Sequence, residues 1–234
     1  MKLFLKGAKD GIPIALGYLS VSLAFGILAV NSGQPWWAPV VTSLSNFTGT
    51  GQFVGIDLIA VNASLTEICF TLLVINLRYL LMSLSLSQRV RPEMKLLPRM
   101  AIAFGITDEV FAVSLEQEAP LSGRYLAGLI LSSYAGWVGG TIIGVLAGSV
   151  IPESVGTAMG IALYAMFIAI IIPPSRESLP VRLTVVIAVV ISCGLYVLFP
   201  KLGSGWSMII AGVAAAVVMS VLKPVKTEEA ENEH

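Results

Sequence analysis

Residues 42–53 read Thr-Ser-Leu-Ser-Asn-Phe-Thr-Gly-Thr-Gly-Gln-Phe and interrupt an otherwise apolar run from 36 to 61. Ser43, Ser45, Asn46, Thr48, Thr50 and Gln52 can all hydrogen-bond, and Gly49 and Gly51 allow backbone that other residues reach only at a cost. In hydrocarbon an unpaired backbone group costs several kcal/mol, so irregular chain at that depth must be buried in protein or line a cavity. One reading is an unwound binding loop whose N–H groups and half-helix ends hold a zwitterion. The other is helix packing through small and hydroxyl residues. A packing face repeats at every fourth position, and six polar groups this close together do not.

The surrounding sequence supplies the hydrocarbon. The chain has 234 residues, 56% hydrophobic and only 12% charged, with mean hydropathy +0.87 and a formal net charge of zero. About a quarter of a soluble domain is charged; half that share excludes a soluble or disordered chain, and zero net charge gives no footprint for nucleic acid. Apolar blocks lie at 11–30, 36–61, 64–88, 100–115, 125–150, 155–173, 181–199 and 204–222, each near the roughly 20 residues of a span. The expected fold is all-α: a polytopic membrane helix bundle of seven to eight hydrophobic segments, at least one broken or re-entrant. It forms a single transmembrane domain over 1–222 with a charged cytoplasmic tail at 223–234. The N-terminal MKLFLKGAKDG reads as a cytoplasmic lead-in.

Charge asymmetry tests the path of the chain, since Lys and Arg favour the cytoplasmic side. If all eight blocks span, eight cations fall inside and five outside. If 36–61 and 125–150 each dip in and return, eleven fall inside, and only Arg124 and Lys201 outside. Both blocks are Gly-rich and long. In 125–150, however, Gly128, Ser132, Gly136, Gly140, Gly144 and Gly148 recur every four residues, a packing seam that argues against a dip there. Two three-helix halves of inverted topology, an internal repeat, are the rival plan.

Charges at mid-depth mark a second locus. Arg78 is centred in 64–88, and Asp108 and Glu109 are centred in the short block 100–115. A charge there costs about 2.5–3.5 kcal/mol on insertion scales, so Arg78 is expected to face Asp108 or Glu109, with Asn76 and Tyr79 extending the network. One carboxylate, Asp108 first, can load and release a proton; alternatively the pair is a static staple. The three stretches 45–52, 76–79 and 108 are expected to enclose one wet chamber. Its polar lining would be Ser45, Asn46, Thr48, Gly49, Thr50, Gly51, Gln52, Asn76 and Tyr79. Its apolar walls would be Phe25, Phe47, Phe53 and Phe111.

Scarce residues limit other chemistry. The single histidine is His234, which removes His-dependent triads and two-histidine zinc motifs; no metal or other cofactor is expected. Cys69 and Cys193 lie far apart in apolar runs and read as packing residues. Asp57 and Glu67 are expected at the membrane interface. Asp108 and Glu109 would be the one acid pair of an intramembrane enzyme, but neighbours on a helix point about 100° apart.

GIPIALGYLSVSLAFGILA (11–29), SNFTGTGQFVGIDLI (45–59), NLRYLLMSLSLS (76–87), ITDEVFAVS (106–114) and GWVGGTIIGVLAG (136–148) together resemble the AzlC family, the large subunit of bacterial branched-chain amino acid exporters of the LIV-E type. The resemblance implies export of apolar amino acids such as Leu, Ile and Val, driven by the proton gradient. It also implies a small AzlD-like membrane partner and a place in the bacterial cytoplasmic membrane with both termini cytoplasmic. A small residue is usual in the family where Asn46, Phe47 and Thr48 stand, and often histidine where Tyr79 stands. A passive channel for a small polar solute, a permease-like subunit of another transport system and a scaffold subunit without a site remain the alternatives.

Overall fold

A computed structural model describes residues 1–148 and 175–222, with Ile168, Ile171 and Ile172. Most of block 155–173 and the whole tail 223–234 lie outside the described residues. Ten helices are seen: α1 (Lys2–Asp10), α2 (Ile12–Asn31), α3 (Trp37–Ser45), α4 (Thr50–Ala60), α5 (Leu65–Arg89), α6 (Leu96–Phe104), α7 (Asp108–Leu115), α8 (Gly123–Gly148), α9 (Leu179–Leu198) and α10 (Ser204–Leu222). Among the described residues there is no strand, only an isolated bridge between Val90 and Leu121. Five helices (α2, α5, α8, α9 and α10) are long and apolar enough to cross a membrane. Among the described residues these five stand against the expected seven to eight hydrophobic segments, at least one broken or re-entrant. Blocks 36–61 and 100–115 each hold two short helices instead of one span.

The chain groups into two compact units. One holds Met1–Val61 and continues from Ile75 through α8; the other holds Asn62–Val74 with α9 and α10. In the first, α2 and α8 form the packed centre and run in the same direction. A Cβ added at Gly140 would stand 2.9 Å from the Leu19 Cα, at Gly144 3.0 Å from the Leu23 Cα, and at Gly26 2.8 Å from the Val145 backbone N. The four-residue stripe is a seam where backbones touch, and α8 stays helical throughout its 26 residues. This corrects the charge-count reading of 125–150 as a dip. Ser133 donates back to its own helix at Leu129 O (2.8 Å), and Thr141 donates to Trp137 O (3.1 Å) while its Oγ1 also lies 2.8 Å from Ser43 Oγ on α3.

The returning segment in that half of the chain is 96–115. Helix α6 stops at Gly105, and Thr107 caps α7, its Oγ1 accepting the Val110 N–H at 3.3 Å. Asp108 and Glu109 then occupy a first turn whose dipole favours acids. Helix α7 ends where α6 began, because Arg89 donates to Leu115 O (2.9 Å) and Gln117 O (3.0 Å). Segment 37–60 also doubles back. Phe47 packs on Tyr18, and six residues later Phe53 packs on Phe25, two turns along α2 toward its C-terminal end. The two dips enter from opposite ends.

Arg124 is a further correction. Leu121 donates to Arg89 O at 2.7 Å and accepts from Arg91 N at 3.3 Å, which ties the start of α8 to the 89–95 link. Lys6 on α1 reaches Gln117 at 2.7 Å. Lys6, Arg89, Arg91, Lys95 and Arg124 thus gather at one end of this unit.

In the second unit Glu67 is buried in the first turn of α5. Its Oε1 accepts the Gly205 N–H at 3.0 Å and the Trp206 N–H at 3.3 Å, capping α10. Cys69 and Cys193 are exposed on α5 and α9, not packed inside. Surrounded by lipid, an outward face can be as apolar as a core, so hydropathy alone did not separate the two.

Candidate functional site

Two helix breaks meet one arginine. Asn46 turns extended (φ −138, ψ 102) and Gly49 adopts φ 51, so the chain leaves α3 and re-enters a helix at Thr50. The freed carbonyls find side-chain donors. Gln52 Nε2 donates to Asn46 O, and Tyr79 OH donates to Thr48 O at 2.7 Å. From the other side the break at 105–107 delivers Asp108. Arg78, in the middle of α5, joins both: Nη1 lies 2.7 Å from Asp108 Oδ2, and Nη2 donates to Thr50 Oγ1 at 3.1 Å and to Tyr79 OH at 3.0 Å. Arg78 and Asp108 side chains are each about one-third exposed, 32% and 33%, so the pair is reachable.

Opposite charges meet where the helices begin, Arg78 against Asp108 with Glu109 beside it. The N-terminal ends of α4 and α7 carry positive half-dipoles, and Arg78 adds a full charge. Beside it, three buried polar atoms have no hydrogen-bond partner among the described residues: Thr48 Oγ1, Asn76 Oδ1 and Arg78 Nε. A Cβ on Gly51 would lie 2.6 Å from Thr48 Oγ1 and 3.1 Å from Asn76 Oδ1; the glycine keeps this corner open. Unsatisfied buried polar atoms are uncommon and call for an explanation.

The expected residues divide in the structure. Thr48, Gly49, Thr50, Gly51, Asn76, Arg78, Tyr79 and Asp108 come together. Gln52 is buried and spent, its Oε1 accepting from Ser43 (3.1 Å) and Trp137 Nε1 (3.2 Å) while Nε2 holds Asn46 O. It clamps the break. Ser45 is exposed and bonds to Val41 O at 2.8 Å, away from Arg78. Glu109 takes the Tyr18 hydroxyl instead of Arg78, and Tyr18 OH also lies 2.6 Å from Thr107 Oγ1. Among the phenylalanines, Phe25 and Phe53 pack on each other in the core at 5.3 Å between ring centroids. Phe47 sits among Tyr18, Tyr134 and Trp137, and Phe111 alone is partly exposed. A cavity lies between α1, α6 and α8, away from Arg78.

Tyr18, Thr107 and Trp137 were not singled out from sequence. Thr107-Asp108-Glu109 after Gly105 was legible as a helix stop followed by an N-cap. Nothing local marks Tyr18 or Trp137.

Such an arrangement, irregular backbone and an ion pair held at mid-depth by discontinuous helices, belongs to polytopic transport proteins. The AzlC protein family model matches residues 13–151, and the chain belongs to this family. It is 36% identical over 73% of its length to an uncharacterized membrane protein of Archaeoglobus fulgidus, covering 75% of that protein. It is 31% identical over 72% of both chains to the inner membrane protein YgaZ of Escherichia coli. It is 26% identical over 69% of its length to the branched-chain amino acid transport protein AzlC of Bacillus subtilis, covering 63% of it. No solved structure matches significantly.

Proposed function

We propose that this chain is the large subunit of a proton-coupled exporter of branched-chain amino acids in the bacterial cytoplasmic membrane, working with a small AzlD-like partner. The observation that carries the reading is the convergence of two oppositely entering helix breaks on Arg78 and Asp108. A substrate carboxylate would exchange onto Arg78 and the starts of α4 and α7. Its ammonium would take Asn76 Oδ1 and Thr48 Oγ1, which lack partners among the described residues. Asp108 and the substrate carboxylate would compete for one guanidinium, and the displaced Asp108 would be free to take a proton, which links substrate binding to protonation. The positive-inside rule supports a cytoplasmic N-terminus and a cytoplasmic 89–124 end. With that orientation α2 and α8 both run outward.

Efflux of labelled leucine and valine from vesicles holding the chain and its partner tests this. Asp108→Asn should abolish pH-driven efflux while leaving the protein folded. Unchanged coupled efflux would remove Asp108 from the proton path. Saturation with counterflow separates a carrier from a passive channel.

A further inference from the structure

The cavity between α1, α6 and α8 encloses about 1160 Å³. One end carries Arg91, Lys95 and Arg124, with Glu93 the one acid in its lining. The Val90–Leu121 bridge fixes Arg91 and Arg124 at the same level. From there the walls are apolar, formed by Phe4, Ile102, Ile130 and Leu131. Phe104 and Tyr134 line the far end, their rings 6.0 Å apart. Ten residues of α8 separate Arg124 from Tyr134, or about 15 Å of helix. That is the depth of one leaflet, half of the roughly 30 Å hydrocarbon core.

We infer that this groove is a binding site for an anionic phospholipid of the leaflet facing the basic end. The phosphodiester sits among Arg91, Lys95 and Arg124, and the acyl chains lie along α6 and α8. A protein helix would fill the apolar length without using three cations, whereas basic pockets between membrane helices suit anionic headgroups. The inner end reaches the helix break. Tyr134 packs edge-on against Phe47, 5.4 Å between centroids, and its hydroxyl donates to Leu44 O at 2.7 Å.

The test is thermal unfolding of the full chain in neutral detergent with added phosphatidylglycerol, phosphatidylcholine of the same acyl chains, or inorganic phosphate. Phosphatidylglycerol in large excess should raise Tm by at least about 4 °C more than phosphatidylcholine. Inorganic phosphate should do nothing. The double variant Arg91→Gln/Arg124→Gln should lose the difference. Ala127→Trp, which fills the groove and leaves the cations, should lose it too and serves if the double variant does not fold. Equal shifts with both lipids, a shift with phosphate alone, or a surviving phosphatidylglycerol preference in either variant overturns the site.

Discussion

Segments 36–61 and 125–150 look alike in sequence, both apolar, Gly-rich and longer than a span needs, yet one breaks and the other is an unbroken helix as far as Gly148. The difference lies in what surrounds the glycines. In 36–61, Gly49 takes a positive φ, and the carbonyls released at Asn46 and Thr48 are met by Gln52 and Tyr79. In α8, Gly128, Gly136, Gly140 and Gly144 repeat with the helix, so their missing side chains open on the backbones of α1 and α2. Glycine permits a break, but side-chain donors stabilise one. Segment 96–115 completes the lesson, since its break uses one glycine and a capping threonine.

The contrast can be broken from the seam side first. Gly140→Leu would drive a side chain into the backbone of α2 at Leu19, and overpacking of that kind costs about 1–3 kcal/mol or more. The expected outcome is the largest loss of stability in this set, read as a fall in Tm of the detergent-purified chain. On the break side, Gln52→Leu keeps the volume but removes the clamp and strands the Asn46 carbonyl. A loss of about 2 kcal/mol is expected, with increased proteolysis or labelling near residue 46. Gly49→Ala is of similar size. The added Cβ would meet Trp137 only at 3.4 Å, so the cost is that of holding an alanine at φ 51, ψ −92, about 1–3 kcal/mol. Gly139→Ala is the smallest: nothing lies within 4 Å of its Cβ, and a Tm change within the range of an ordinary surface substitution, about 0.5 kcal/mol, is expected. A Gly139 effect as large as that of Gly140 would show that helix propensity, not the seam, sets the stability of α8.

The sequence by itself determined the class and the locus. Composition required a membrane bundle, six polar groups in 43–52 required partners at depth, and Arg78 required an acid. These follow from the cost of desolvating polar atoms, which any hydrocarbon environment imposes. Only tertiary structure decided which segments turn back, that Arg78 takes Asp108 while Glu109 goes to Tyr18, and that Gln52 is a clamp. The tie from Leu121 to Arg89 likewise set Arg124 beside the 89–95 link, which no charge count over separate blocks could do. Each of those outcomes depends on a donor or acceptor supplied from a distant stretch of chain, and local pattern carries no record of what that stretch will bring.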